Sequence, residues 1–374
     1  MKIFSRIKPL QILRNFFRNL NFALLGITFL LVAAGGFAVY SATGADVNPL
    51  FIKQLTWYGI GTVFLFVFAG LNYNRLVESS YYIYGFFLIL LTAVLFVGHT
   101  SLGAQRWLDI GPLRFQPSEF VKIVLSFAVI RMILVNHREG FTWKNIVKIL
   151  LLAGVPMLLV LKQPDLGTVL HLIPVLYTLL FMGNIKPLKL GIITLAAAAL
   201  MPIAYFFLRD YQKQRLLVFL NPEIDPLGAG YNVIQSQIAV GSGMLFGKGF
   251  AQGTQSQLDF IPIKYTDFVF AVIGEEFGFF GGFIIIAIYL MLVMEALKIA
   301  KLSKNRAGKM MASAIAAVIF SQVFINIGMN MGIMPVTGIT LPLLSYGGTS
   351  VLVIMISLGI LQNIYREYMK AEEK

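Results

Sequence analysis

Apolar residues run along this chain in long blocks, not in the alternation of a half-buried strand or helix. Blocks of about 17–25 apolar residues are long enough to cross a bilayer as helices. Ten such blocks fall at roughly 21–41, 52–71, 80–98, 118–135, 146–163, 167–183, 188–208, 267–297, 310–332 and 346–365. They predict an all-α integral membrane protein with ten transmembrane helices. The eighth block is long enough to tilt or to project beyond the bilayer. The polar breaks are short, except the long segment 209–266 between helices 7 and 8. No repeat, low-complexity tract or soluble domain interrupts the pattern, so residues 1–374 read as a single polytopic membrane domain.

Composition agrees. The chain is 58% hydrophobic and 13% charged, against about 25% charged in soluble domains, and its mean hydropathy is +0.79. The formal charge of +13 takes its meaning from position. With the N-terminus inside, the inner segments hold 20 of the 30 basic residues. The positive-inside rule then places both termini in the cytoplasm, as an even number of spans requires. Segment 209–266 becomes one long extracytoplasmic loop. Residues 1–20 are basic and amphipathic, with Arg6, Lys8, Arg14 and Arg18. They read as a cytoplasmic juxtamembrane segment on anionic lipid, not a cleaved signal. The charge therefore does not point to nucleic acid. The chain has no cysteine, which excludes disulfides and thiolate metal sites. His99, His137 and His171 are too scattered for a metal-ligand set.

The polar chemistry gathers on the outer side. Gln235 to Phe250, Gly253-Thr-Gln-Ser-Gln257 and Tyr265-Thr-Asp-Phe-Val-Phe270 form a glycine-rich, hydrogen-bonding stretch in an otherwise membrane-bound chain. Gln235, Lys248, Ser256 and Gln257 are its candidate contacts to a polar ligand. The glycine spacing is not that of a P-loop. Asp267 stands where the eighth apolar block begins. It suits the cap of that helix, and it equally suits catalysis. Glu275 and Glu276 follow inside the block, where an unpaired carboxylate costs about 2.5–3.5 kcal/mol or more. A structural ion pair with a basic residue of another helix is the preferred reading for both. Glu119 and Lys122 share a helix face at i, i+3. They form either a neutralising pair or part of a cavity wall. Arg106, Arg114, Lys162, Arg209, Lys213, Arg215 and Lys248 give the outer side a cationic cluster suited to phosphate. The stretch around Arg215 also fits an amphipathic helix with its basic side on lipid headgroups.

Longer motifs carry a resemblance. They are Arg106-Trp-Leu-Asp109, Arg114-Phe-Gln-Pro-Ser-Glu119, Gln163-Pro-Asp-Leu-Gly-Thr168, Tyr211-Gln-Lys-Gln-Arg215, Asp225-Pro-Leu-Gly-Ala-Gly230, Gln235 to Phe270 and Gly338-Ile-Thr-Leu-Pro-Leu-Leu-Ser-Tyr-Gly-Gly348. In this order, over nearly the whole chain, they resemble the SEDS family (shape, elongation, division and sporulation). Gly253 to Gln257 and the short N-terminus look like its elongation branch. One departure is Pro262-Ile263-Lys264, where many members have Pro-Glu before the Thr-Asp-Phe motif.

The resemblance implies a peptidoglycan glycosyltransferase that polymerises lipid II on the outer face of the cytoplasmic membrane during cell elongation. It implies Asp267 as the essential acid and maps the family's Glu and Lys onto Glu119 and Lys122. The donor is α-linked and the glycan β-linked, so the reaction inverts, and one general base suffices. The leaving pyrophosphate needs positive charge. Arg106, Arg114, Lys122, Arg209 and Arg215 are candidates, and a divalent cation such as Mg2+ or Mn2+ is another, although no dedicated ligand set is visible. A lipid II flippase and a non-catalytic scaffold for a transpeptidase are the rival readings. Most polar candidates lie on the outer side, which argues against a flippase path. The implied partners are a class B penicillin-binding protein, which crosslinks the glycan, and the elongation machinery. In the ninth span, Ala312, Ser313, Ala314, Ala316 and Ala317 offer a small-residue face for internal packing or for docking that partner.

Overall fold

The computed structural model describes residue 14 and residues 16–101, 104–111, 113–136, 141–206, 208, 210–228 and 230–373. Lys2, Arg6 and Lys8 of the juxtamembrane segment lie outside the described residues, as do His137 and Arg209.

The elements follow the apolar blocks closely. They run α1 (Phe22–Ala42), α2 (Pro49–Gly70), the short α3 (Tyr73–Glu78), α4 (Ser80–Val97), α5 (Pro117–Asn136), α6 (Trp143–Lys162), α7 (Leu166–Met182) and α8 (Pro187–Phe206). After them come α9 (Asp210–Leu220), α10 (Tyr231–Ser242), the single turn α11 (Thr254–Gln257), α12 (Val269–Leu302), α13 (Arg306–Asn330) and α14 (Gly348–Glu372). Short polar residues open many of them. Asn21, Asn48 and Asp165 each accept a hydrogen bond from the first turn of the helix they precede, which fills free N–H groups there.

Among the described residues, seven helices are long and apolar enough to cross a membrane by that measure alone. Leu166–Met182 and Pro187–Ile203 are apolar but shorter, and α5 carries Glu119, Lys122 and Arg131. Each of the ten predicted blocks overlaps a helix among the described residues, and seven of those helices pass that measure.

Between α4 and α5 the chain departs from pure helix. Strands β1 (His99–Ser101), β2 (Ala104–Ile110) and β3 (Leu113–Phe115) form a small antiparallel sheet in the order β1-β2-β3. Gly111, with φ +62°, sits at the turn between β2 and β3. That left-handed value suits glycine.

Helices α13 and α14 are the most buried spans and form the centre of the bundle. Ala312, Ser313, Ala314 and Ala316 are buried there. The small-residue face is therefore internal helix packing, and α1, α2 and α4 turn most of their apolar surface outward.

Two irregular segments shape the outer end. The first breaks α12. Gly278 has φ +63° and ψ −157°, which divides the eighth block into a short helix, 269–277, and a longer one beyond it. The glycine-rich segment fills the break. Lys248 N–H and Gly249 N–H donate to the carbonyls of Glu275 and Glu276, both at 3.0 Å. Phe279 N–H and Phe280 N–H donate back to Met244 O and Leu245 O at 2.8 and 3.2 Å. Part of the extra length of the eighth block is thus a break in the helix whose loose ends are capped by backbone. The second segment, 333–347, enters the bundle: Leu341, Leu343, Leu344 and Ser345 are buried. Tyr58 Oη donates to Leu343 O at 2.6 Å and Tyr289 Oη to Pro342 O at 2.5 Å.

Candidate functional site

Asp267 sits where these two segments meet. The helix that follows has Phe268 at its N-cap position, with no side-chain cap. Asp267 is held instead by its backbone: its carbonyl accepts from Asn326 Nδ2 and Asn330 Nδ2, each at 3.0 Å. Its neighbours are fixed the same way. Ser345 Oγ donates to Thr266 O at 2.5 Å, and Tyr346 N–H to Tyr265 O at 2.8 Å. The carboxylate itself is half-buried and, among the described residues, makes no salt bridge. A Cβ built on Gly338 would lie 3.5 Å from Asp267 Oδ2, so the second segment passes close beside the acid. Of the two sequence readings, the cap is not the one adopted.

Two of the predicted cations come to this acid. Arg215 and Arg106 both act on its charge. Burial pushes the Asp267 carboxyl above its ordinary value, Arg215 and then Arg106 oppose the rise, and Asp165 adds to it. Arg215 lies on α9, where the sequence left open an amphipathic helix with its basic side on lipid. The helix forms, but Arg215 turns inward and donates to Val336 O at 3.1 Å. Burial lowers the pKa of its guanidinium, and Arg106 nearby lowers it further. Arg106 is anchored by the Pro164 carbonyl and by Asp165 Oδ1 at 3.6 Å, while its Nε is buried without a hydrogen-bond partner. Asp165 is already occupied: it accepts from Thr168 N–H at 3.2 Å, from Thr168 Oγ1 at 2.8 Å and from Ser118 Oγ at 3.3 Å.

Glu119 and Lys122 form the pair expected from their spacing, at 2.6 Å. Lys122 also donates to Gln322 Oε1 at 3.2 Å, and Gln322 Nε2 donates to Thr340 O at 2.9 Å. Gln322, Asn326 and Asn330 recur every four residues, one stripe on α13 that reaches from Lys122 to the backbone of Asp267. None of these three is among the candidates that motif and charge bring forward. The signal was there: three carboxamides at i, i+4, i+8 in an apolar span, where a polar side chain needs a partner.

The remaining candidates lie elsewhere or are engaged within the fold. Lys248 Nζ pairs with Glu275 Oε1 at 2.7 Å. Glu275 also accepts from Gln255 N–H at 2.8 Å and Ser256 N–H at 2.9 Å. Gln257 Nε2 donates to Ser41 O at 3.1 Å, and Ser41 Oγ donates to Glu276. Lys264, at the departure from the family motif, bonds Ser256 O and pairs with Asp259 at 2.7 Å. The glycine-rich stretch thus uses its hydrogen bonds to close on α12. Gln235 is half-buried on α10. Arg114 is exposed and lies 3.6 Å from Asp109 on the small sheet. Lys213 sits over the Tyr205 ring. Among the described residues no three His, Asp or Glu side chains gather into a metal-ligand set.

The geometry can be set beside known proteins. Residues 15–370 match the family model of the FtsW, RodA and SpoVE cell cycle proteins. The chain is 41% identical over 350 residues to the peptidoglycan glycosyltransferase MrdB of Escherichia coli K12, covering 93% of this chain and 94% of that one. It is 30% identical to the peptidoglycan glycosyltransferase RodA of Treponema pallidum, over 92% and 97% of the two chains. A solved chain from a peptidoglycan synthase complex, described as coordinating polymerization and crosslinking, superposes with a TM-score of 0.80 at 31% identity, over 93% and 98%. The crystal structure of the rod shape determining protein RodA of Thermus thermophilus gives 0.69 at 28% identity, over 93% and 97%.

Proposed function

Because this chain belongs to the FtsW/RodA/SpoVE family and is a multi-pass peptidoglycan glycosyltransferase of the bacterial inner membrane, we propose that Asp267 is the general base of its reaction. The observation that supports this is an acid locked through its backbone, with a carboxylate that neither caps a helix nor joins a salt bridge among the described residues. The acceptor is a sugar hydroxyl and the donor is lipid II. As the hydroxyl oxygen bonds to the anomeric carbon, its proton passes to the Asp267 carboxylate. The bond from that carbon to the pyrophosphate oxygen breaks, and the electron pair leaves with undecaprenyl pyrophosphate. Inversion in one displacement needs no second carboxylate as nucleophile, which accords with Asp165 being engaged as a helix cap.

Arg215 and Arg106, whose charges act on Asp267, are the cations to which the developing leaving-group charge is assigned. Arg106 Nε, buried without a partner, is a donor ready for a phosphate oxygen. Lys122, braced by Glu119 and Gln322, extends the same wall. Among the described residues no three His, Asp or Glu side chains gather into a ligand set, and the leaving charge is assigned here to these cations.

Crosslinking needs a second protein. The chain has no cysteine, and no Ser-x-x-Lys motif in a soluble domain. The likeness to a chain of a synthase complex that couples polymerization to crosslinking supports a class B penicillin-binding protein as partner, within the elongation machinery.

The test is glycan polymerisation by purified protein from lipid II. Asp267→Asn is expected to lose at least about 100-fold in kcat, with membrane insertion and thermal melting unchanged. Near-normal polymerisation by folded Asp267→Asn sinks the assignment.

A further inference from the structure

We infer that Asn326 and Asn330 are positioning residues, which hold Asp267 in its reactive place from the opposite helix. This rests on Asp267 being the base.

Asp267 precedes the first turn of α12, on a segment without regular structure. Nothing in its own helix fixes it, because the cap position carries no side-chain bond. Asn326 and Asn330 supply what is missing. Both donate to the Asp267 carbonyl at 3.0 Å. Asn330 Oδ1 also accepts from Ala271 N–H at 3.2 Å, so one carboxamide serves as the cap of α12 and as the clamp on the acid. Asn326 Nδ2 reaches Ile339 O at 2.7 Å. It thereby ties the acid to the segment whose Gly338 lies beside the carboxylate. Ser236 Oγ, from α10, donates to Asn330 O at 2.9 Å and fixes the clamp in turn.

Both side chains are fully buried. A carboxamide in an apolar span is costly unless its bonds are made, and helix packing alone is served by apolar residues. All the groups these two amides bond, apart from one another and Ser236, belong to the segments that carry or border Asp267. A displacement of about 1 Å in a catalytic group can cost roughly 100-fold in rate. A clamp of this kind keeps the carboxylate against the acceptor hydroxyl.

The test compares purified wild type, Asn326→Leu, Asn330→Leu and Asp267→Asn in lipid II polymerisation over a range of pH. Leucine keeps the volume and removes the hydrogen bonds. The groups that face Asp267 are Arg215 on α9, Arg106 on β2, Asp165 before α7 and the Thr266 hydroxyl. Released from the clamp, the carboxylate gains water, and its acid limb is expected to move to lower pH. We expect kcat to fall roughly 10–100-fold with KM for lipid II unchanged within about twofold. If Asn330→Leu does not fold, Asn326→Leu carries the test, since Asn330 then still caps α12. Wild-type kcat and an unmoved acid limb in a folded asparagine variant, with Asp267→Asn inactive, overturn the clamp. A fall in kcat accompanied by lower melting and an unmoved limb overturns it too, because it marks simple structural glue. Activity in Asp267→Asn overturns the base assignment instead.

Discussion

Asp267 precedes the short helix 269–277 and Glu275 lies near its end, and the protein holds them in opposite ways. Glu275 is bound by its side chain. It has no exposed surface, pairs with Lys248 at 2.7 Å and accepts two backbone N–H groups from the turn at 255–256. Asp267 is bound by its backbone, and its half-buried carboxylate lies beside Gly338 and feels the charges of Arg215 and Arg106. An acid whose oxygens are all engaged holds structure. An acid whose main chain is clamped and whose carboxylate joins no salt bridge among the described residues can take a proton from a ligand. The difference separates a latch from a base where sequence shows two similar residues.

The largest effect is expected from exchanging the readouts. Glu275→Ala leaves Lys248 without its ion-pair partner and two N–H groups of the 254–257 turn without acceptors. Breaking a buried pair costs about 3–5 kcal/mol. The variant should melt far below wild type in detergent, while the fraction that stays folded still polymerises. Asp267→Ala should do the reverse, with wild-type melting and no glycan. Equal melting of the two variants breaks the comparison.

A smaller loss of stability should follow at the base of the latch. Gly247 has φ +81°, and a Cβ there would overlap the carbonyl of Glu276. The left-handed backbone costs an L-residue roughly 1–2 kcal/mol, and the overlap adds about 1–3 kcal/mol. Gly247→Ala should therefore lower stability by about 2–5 kcal/mol through the break in α12. Its kcat per folded molecule should stay near wild type, because the Asp267 clamp comes from α13. A selective loss of kcat at normal melting would show that the latch also sets the base.

How much of this was legible in the sequence depended on the range of the interaction. Helix positions followed from local hydropathy, and Glu119–Lys122 from i, i+3 spacing, since each needs only neighbours in the chain. The resemblance, carried by whole motifs, brought Asp267 forward. The breaking of α12 at Gly278 was hidden, because Glu275 to Phe280 read as continuous apolar helix until the backbone of 244–249 is placed in the gap. The glycine-rich stretch looked like a ligand cradle for the same reason: its hydrogen-bonding capacity was visible and its partners were not. Arg106, Arg114 and Arg215 could not be ranked from sequence. Two of them reach Asp267 only because the sheet and α9 fold back over Pro164 and Val336.

The smallest expected effect is a shift in pH profile, and it tests that ranking. Burial raises the Asp267 carboxyl above the ordinary carboxylate range, and Arg215 is the leading influence that lowers it. A base works only when deprotonated, so polymerisation is lost as pH falls through the carboxyl pKa of the folded enzyme. Removing the positive charge in Arg215→Gln favours the protonated acid. The acid limb of kcat/KM should then move to higher pH. Arg114→Gln should leave the limb where it is, since Arg114 is exposed and lies against Asp109 in surroundings that screen its charge. A limb that shifts equally in both variants would mean that Asp267 feels the general positive field of the outer face, and that the arrangement of Arg215 and Arg106 around it has no special role.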